Sequence, residues 1–225
     1  GGGGDGTRGG LGPGVAGGGG VGPSAGQWVG ARSCQRHGTG ASTEGGALAQ
    51  GLLAGGITAV VKHVPGLGGT DGNTDVTAAA TPTWSVLQSS GLLPFQAAAA
   101  AHLPAVMIAN ASVPGLTTLP ASLSPEVITG VLRGRLGSQG LVITDSLSAV
   151  AISSAGYSVP QATVAALRAG ADLVLYTAAV SQVPALTNAT VTAIVAAVDA
   201  GTLNRSLLES AVGRVLAVKG VSLCS

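Results

Sequence analysis

Residues 59–76, AVVKHVPGLGGTDGNTDV, begin as an apolar run and break into a glycine-rich turn that carries Lys62, His63, Asp71 and Asp75. The chain of 225 residues has only ten basic and nine acidic side chains, so this gathering asks for a role. A second apolar run, GLVIT (140–144), leads straight into Asp145. A carboxylate at such a place is expensive to bury unless it is paired or used. Two carboxylates across a pocket are the minimum apparatus of glycoside hydrolysis, in which one attacks the anomeric carbon and a second group protonates the leaving oxygen. Asp145 is then the nucleophile or electrostatic stabiliser, and Asp71 and Asp75 are the remaining carboxylates without a structural explanation. Lys62 and His63 donate hydrogen bonds to sugar hydroxyls. The plain alternatives are a helix cap for Asp145 and a structural hydrogen-bonding role for His63. This chemistry needs neither a metal nor a cofactor.

Most of the other carboxylates have structural explanations. Glu126 and Glu209 fall in the first turns of predicted helices, Asp199 near a helix end, and Asp172 at the N-terminal end of a predicted strand. GLGGTDG also resembles a dinucleotide-binding loop. There, however, the third glycine falls on Asp71, and TDVTAAATPT opens no helix whose N-terminus could hold a pyrophosphate. A nucleotide-binding α/β protein is the remote alternative.

Positioning these groups requires rigid elements. GGALAQGLLAGG reads as a helix, ITAVV (57–61) as a buried strand, FQAAAAA as a helix and PAVMIAN (104–110) as a strand. Ser124 is an N-cap, Pro125 sits at the first helical position, and Val127, Ile128, Val131, Leu132 and Leu136 share a face that Gly137 closes. After the strand at 140–144, PQATVAALRAG is a helix stopped by Gly170, and ADLVLYT is a strand. Two closing helices span 184–200 and about 204–219, the second capped by Asn204. Apolar strands alternating with helices predict a parallel sheet covered on both faces, either doubly wound or part of a (β/α)₈ barrel. Ligands bind at the C-terminal strand ends in both, which selects Lys62, His63, Asn110, Asp145 and Tyr176.

The composition limits the alternatives. A net charge of +1 offers nothing to nucleic acid or an anionic membrane. The mean hydropathy of +0.52 is spread among glycines, and no uninterrupted apolar run approaches the roughly 20 residues of a spanning helix. Residues 1–28 form a glycine-rich segment expected to be poorly ordered, and 29–225 form the folded domain. No signal peptide is expected in the chain. Cys34 and Cys224 allow one disulfide at most.

From about residue 29 onward, VKHVPGLGGTDGNTDV, PAVMIANASVPGL, SLSPEVITGVLRGRLGSQGLVITDSLSAVAI and ALRAGADLVLY resemble family 3 glycoside hydrolases. The likeness is to the single-domain β-N-acetylhexosaminidase branch. It implies the C-terminal half to five-eighths of a (β/α)₈ barrel and retaining hydrolysis of terminal β-linked N-acetylglucosamine, with cell-wall fragments or similar glycosides as substrate. It assigns Asp145 as nucleophile, Lys62 and His63 as sugar-binding residues, and Arg32 in VGARS as a substrate-contacting arginine. RVLAVKG and the final LC are similar to secreted or lipoprotein actinobacterial members, which implies an extracellular or cell-envelope setting for the full-length parent.

There are three departures. The family's Asp-x-His acid/base dyad falls on Asn73 and Asp75, which leaves Asp75 as the proton donor if its pKa is raised and Asp71 as the fallback acid or a sugar-binding carboxylate. The position after the nucleophile, usually acidic, is Ser146. Family barrels also have further strands before the region of Arg32. On that ground the chain is expected to be N-terminally truncated and weakly active or inactive alone, a relic or fragment of a hydrolase. Half a barrel leaves strand edges unpaired, which invites association.

Overall fold

The apolar runs become four parallel strands, β1 (Val60–Val64), β2 (Ala105–Ile108), β3 (Leu141–Ser146) and β4 (Leu173–Leu175), paired in the order β1-β2-β3-β4. The computed structural model describes residues 38–222; Arg32, both cysteines and the segment at 1–28 lie outside the described residues. Helix α1 (Gly38–Ala54) precedes β1. Between β1 and β2, α2 (Trp84–Val86) runs through a π-helical turn (Leu87–Gly91) into α3 (Leu93–Ala100). A π-helix (Glu126–Arg135) joins β2 to β3, and α4 (Val150–Ser154) and α5 (Val159–Ala169) join β3 to β4. Helices α6 (Val183–Asp199) and α7 (Arg205–Val218) close the described chain. This is the helix-strand alternation expected of a parallel α/β barrel.

The period-2 alternation of strands sorts their side chains onto two faces. On the outer face Val64, Val106, Ile108 and Val142 join Phe95, Val127, Ile128, Leu132 and Ile152 of the covering helices in one buried core. Full burial of such aliphatic side chains contributes about 1.5–3 kcal/mol each. On the inner face Val60, Ala105, Leu141 and Ile143 form a second cluster with Met107. Val215 and Val218 of α7 pack on that cluster, at the end where the strands begin.

Asp172 anchors this lower end. Its side chain is 1% exposed and takes Arg133 at 2.7 Å and Arg214 of α7 at 2.9 Å, and it also accepts the Val142 N–H at 2.8 Å. Asp172 therefore belongs to the non-functional end of the sheet, as the sequence predicts.

Several local expectations need correction. The first strand lies three residues later than ITAVV, so Lys62 and His63 are within β1. Asp145 likewise lies inside β3. The helix predicted after Ser124 is π-helical. Four of the five residues of the predicted face (Val127, Ile128, Val131 and Leu132) are buried, because this spacing suits either winding, while Leu136 caps the helix and is only partly buried. Ser124 still works at its start, accepting the Val127 N–H and donating to Glu126. Gly137 and Gly170 end their helices with φ of +67° and +107°, a region closed to most side chains. Glu209 lies beyond the first turn of α7 and pairs with Arg205 at 3.1 Å. The sheet is not covered on both faces throughout, since Leu173 and Leu175 of β4 are 42% and 41% exposed. Val180–Asp199 is long and apolar enough to cross a membrane by length and composition, with a mean hydropathy of 1.3. Its scattered Thr, Ser and Asn residues hid it from a search for uninterrupted runs. Here its Ile194, Ala197 and Val198 pack against Val164 and Leu167 of α5.

Candidate active site

Both β1 and β3 are irregular where their ionisable residues stand. Lys62 pairs with Met107 and Val64 with Ile108, so His63 is an extra residue in β1. Across β3–β4, Ile143 pairs with Leu173 and Ser146 with Leu175, so β3 also gains a residue beside Asp145. The Leu175 N–H bonds to the Thr144 side chain there, at 3.0 Å. Such bulges bend a strand and re-aim its side chains.

β2 lies between β1 and β3, so the two strands stand roughly 10 Å apart, twice the inter-strand spacing. The bulged side chains span that gap, and His63 Nε2 lies 3.6 Å from Asp145 Oδ2. This is an electrostatic contact rather than a hydrogen bond. Exposure is 15% for the His63 side chain and 20% for Asp145. The other carboxylate oxygen, Oδ1, accepts the Ser146 N–H at 2.8 Å. Lys62 shares its rung with Met107 and Ile143.

Burial pushes the His63 pKa down to about 4; Asp145 opposes this shift and Lys62 reinforces it. At neutral pH the imidazole is uncharged, and its buried Nδ1 has no partner among the described residues. The folded pKa lies below the unfolded value of about 6.5, so the unfolded chain takes up this proton first as pH falls. Stability should therefore drop between about pH 6.5 and pH 4 and level off below, by roughly 3 kcal/mol at most. Urea denaturation across that window tests it, with His63→Gln expected to flatten this part of the profile. A slope that the variant leaves unchanged would assign the titration to another group.

The loop after β1 crosses the C-terminal edge of the sheet. Ser112 N–H bonds to Ala79 O at 3.0 Å and Thr81 N–H to Ser112 O at 2.9 Å, which ties the loop to the one after β2. Ala151 N–H then bonds to Thr74 O at 3.0 Å and Val150 N–H to Asp75 O at 3.3 Å, at the start of α4. Exposed Asp75 thus stands on the same edge as Asp145. Asp71 is also exposed, and one of its carboxylate oxygens accepts the Ala80 N–H at 2.7 Å, closing the loop. No helix opens directly on the glycines; the next, α2, begins only at Trp84.

Of the other strand-end residues, Tyr176 bonds to Thr187 of α6 at 2.9 Å. Asn110 is 1% exposed and bridges β2 to β3: its amide donates to Ser146 O at 2.7 Å and accepts from Ser122 Oγ at 2.7 Å. Its strand-end position was legible in the sequence, but its partners, 36 and 12 residues away, were not.

Residues 22–218 match the model of the glycosyl hydrolase family 3 N terminal domain. A beta-hexosaminidase of Stenotrophomonas maltophilia (strain R551-3) is 41% identical over 130 residues, covering 57% of this chain and 38% of the relative. Beta-hexosaminidase LpqI of Mycobacterium tuberculosis is 34% identical over 180 residues, covering 78% of this chain and 45% of LpqI. The chain thus spans roughly two-fifths of the length of these curated relatives. The crystal structure of a family 3 glycosyl hydrolase from Mycobacterium smegmatis superposes with a TM-score of 0.78 at 33% identity, over 91% of this chain and 63% of that one. For the structure of M. tuberculosis LpqI the score is 0.79 at 30% identity, over 92% and 61%. Four parallel strands carrying His63 and Asp145 to one edge, and a family model spanning nearly all of the described residues, lead to one assignment: this chain belongs to glycosyl hydrolase family 3.

Proposed function

We propose that the chain catalyses retaining hydrolysis of terminal β-linked N-acetylglucosamine, with cell-wall fragments or similar glycosides as substrates. The observation that carries this reading is the meeting of His63 with Asp145 at the C-terminal edge of the sheet, where both strands bulge. The naming of its relatives as beta-hexosaminidases supports the sugar.

In the first step an Asp145 carboxylate oxygen attacks the anomeric carbon. The bond to the glycosidic oxygen breaks, and Asp75 gives that oxygen a proton. In the second step Asp75 takes a proton from water, whose oxygen attacks the same carbon and releases Asp145. Two inversions return the starting configuration. Lys62 and His63, the latter uncharged at neutral pH, hold sugar hydroxyls, joined by Arg32 and Asp71.

An aryl N-acetyl-β-glucosaminide followed by proton NMR should release the β-anomer first; the α-anomer first, or no release at all, overturns the proposal. If Asp75 is the acid, Asp75→Ala should slow an alkyl glycoside about 100-fold more than an activated aryl glycoside, whose leaving group needs no proton. Equal losses would remove Asp75 from this role.

A further inference from the structure

We propose that Asn110 is a positioning residue for Asp145, acting through Ser146; this rests on the reading of Asp145 as nucleophile. The regular β2–β3 pairing stops at Ile108 and Thr144, one residue short of Asp145. On its other side β3 bulges away from β4 at the same point. The backbone at Asp145 is therefore outside the regular ladder on both flanks, where a carboxylate would otherwise wander.

Asn110 replaces the missing pairing with a side chain. A carbonyl can only accept, so the amide nitrogen must face Ser146 O, leaving Asn110 Oδ1 to accept the Ser122 hydroxyl. Ser122 is itself fully buried, on the turn Ala121–Leu123, and its backbone N–H bonds to Ala109 O at 2.9 Å. The orientation of the amide is thus fixed from both ends. Clamped in this way, Ser146 presents its N–H to Asp145 Oδ1, and Oδ2 is left facing His63. The relay runs from Ser122 through Asn110 and Ser146 to the carboxylate. Its effect is orientation, and a misplacement of about 1 Å costs on the order of 100-fold in rate.

Three variants of the full chain test this. Asn110→Ala should lower kcat about 10- to 100-fold and leave KM within about threefold, because the sugar-binding residues of β1 are untouched. Ser122→Ala keeps the donor but frees its orientation, and should give a smaller loss of the same kind. Asn110→Asp separates orientation from packing. Its ionised carboxyl opposes the Ser146 carbonyl, whereas the protonated form restores a donor. Activity of N110D relative to the parent should rise as pH falls, an effect a packing defect does not produce. A second readout needs no turnover: the His63 titration followed by NMR. The charged groups that act on the imidazole are Asp145 from β3 and Lys62 from its own strand; β2 contributes none. If Asn110→Ala releases the Asp145 carboxylate from His63, the imidazole midpoint should move down. A kcat within about twofold of the parent for Asn110→Ala, or an unmoved His63 midpoint in a folded variant, overturns the proposal. If the parent shows no glycosidase activity, the proposed function fails and the midpoint alone decides whether Asn110 positions Asp145. If Asn110→Ala does not fold, N110D and S122A decide it by the same readings.

Discussion

Asp145→Asn is expected to cut turnover at least about 1,000-fold while the protein stays folded, a loss of about 4 kcal/mol in transition-state stabilisation. The asparagine has nearly the same shape, and its carbonyl oxygen can still accept the Ser146 N–H that Asp145 Oδ1 takes at 2.8 Å. The thermal midpoint should therefore change little. What disappears is the negative oxygen: an amide does not attack an anomeric carbon to form a glycosyl-enzyme. Kinetics on an aryl N-acetyl-β-glucosaminide, with circular dichroism as the folding control, measure both sides. A variant keeping a tenth or more of the parent's kcat would take the nucleophile's role from Asp145. The same substitution removes the charge that holds the His63 pKa up, so the imidazole should become still harder to protonate.

Asp172→Ala is expected to cost about 3–5 kcal/mol of stability. Asp172 alone accepts ion-pair hydrogen bonds from Arg133 of the π-helix and Arg214 of α7 while also receiving the Val142 N–H. Arg133 further binds Ser138 O at 3.0 Å and Gly140 O at 2.6 Å, where the chain enters β3. Burial pulls the Arg133 pKa down, and Asp172 is the charge that opposes this. Without it, two guanidinium groups face one another with no counter-charge, and α7 loses its polar anchor beneath Val215 and Val218. Arg214→Ala should cost less, because its side chain is 36% exposed and water replaces part of the contact. Urea denaturation of the two variants compares them. A loss below about 1 kcal/mol for Asp172→Ala would mean that packing of α7, not its ion pair, holds the lower end.

The two ends of the sheet thus use carboxylates oppositely. Asp172 is buried and saturated with donors, so it serves stability. Asp145 is partly exposed, with one oxygen held by a backbone N–H and the other facing an uncharged histidine, so it is available for chemistry.

The sequence by itself determined the alternation of helices and strands, the parallel sheet and the order of the site residues along it. These rest on local physics: apolar runs too short for anything but strands, Ser124 and Asn204 as caps, and Gly137 and Gly170 as stops. The family likeness was legible too, because KHVPGLG and GLVITD are contiguous motifs. Only the tertiary structure decided the rest. Strand boundaries shifted because pairing with a neighbour, not hydropathy, sets where a ladder ends; VKHV is polar at its centre yet lies in β1. The placement of His63 and Asp145 on non-adjacent strands, and their meeting across β2, depends on two bulges that arise from register between segments far apart in sequence. The same holds for Asn110, Ser122 and Ser146, and for the Arg133–Asp172–Arg214 anchor, whose members are separated by about 40 residues and have no local pattern in common. Local propensity acts over a turn or two of chain, whereas these contacts exist only once the sheet has assembled.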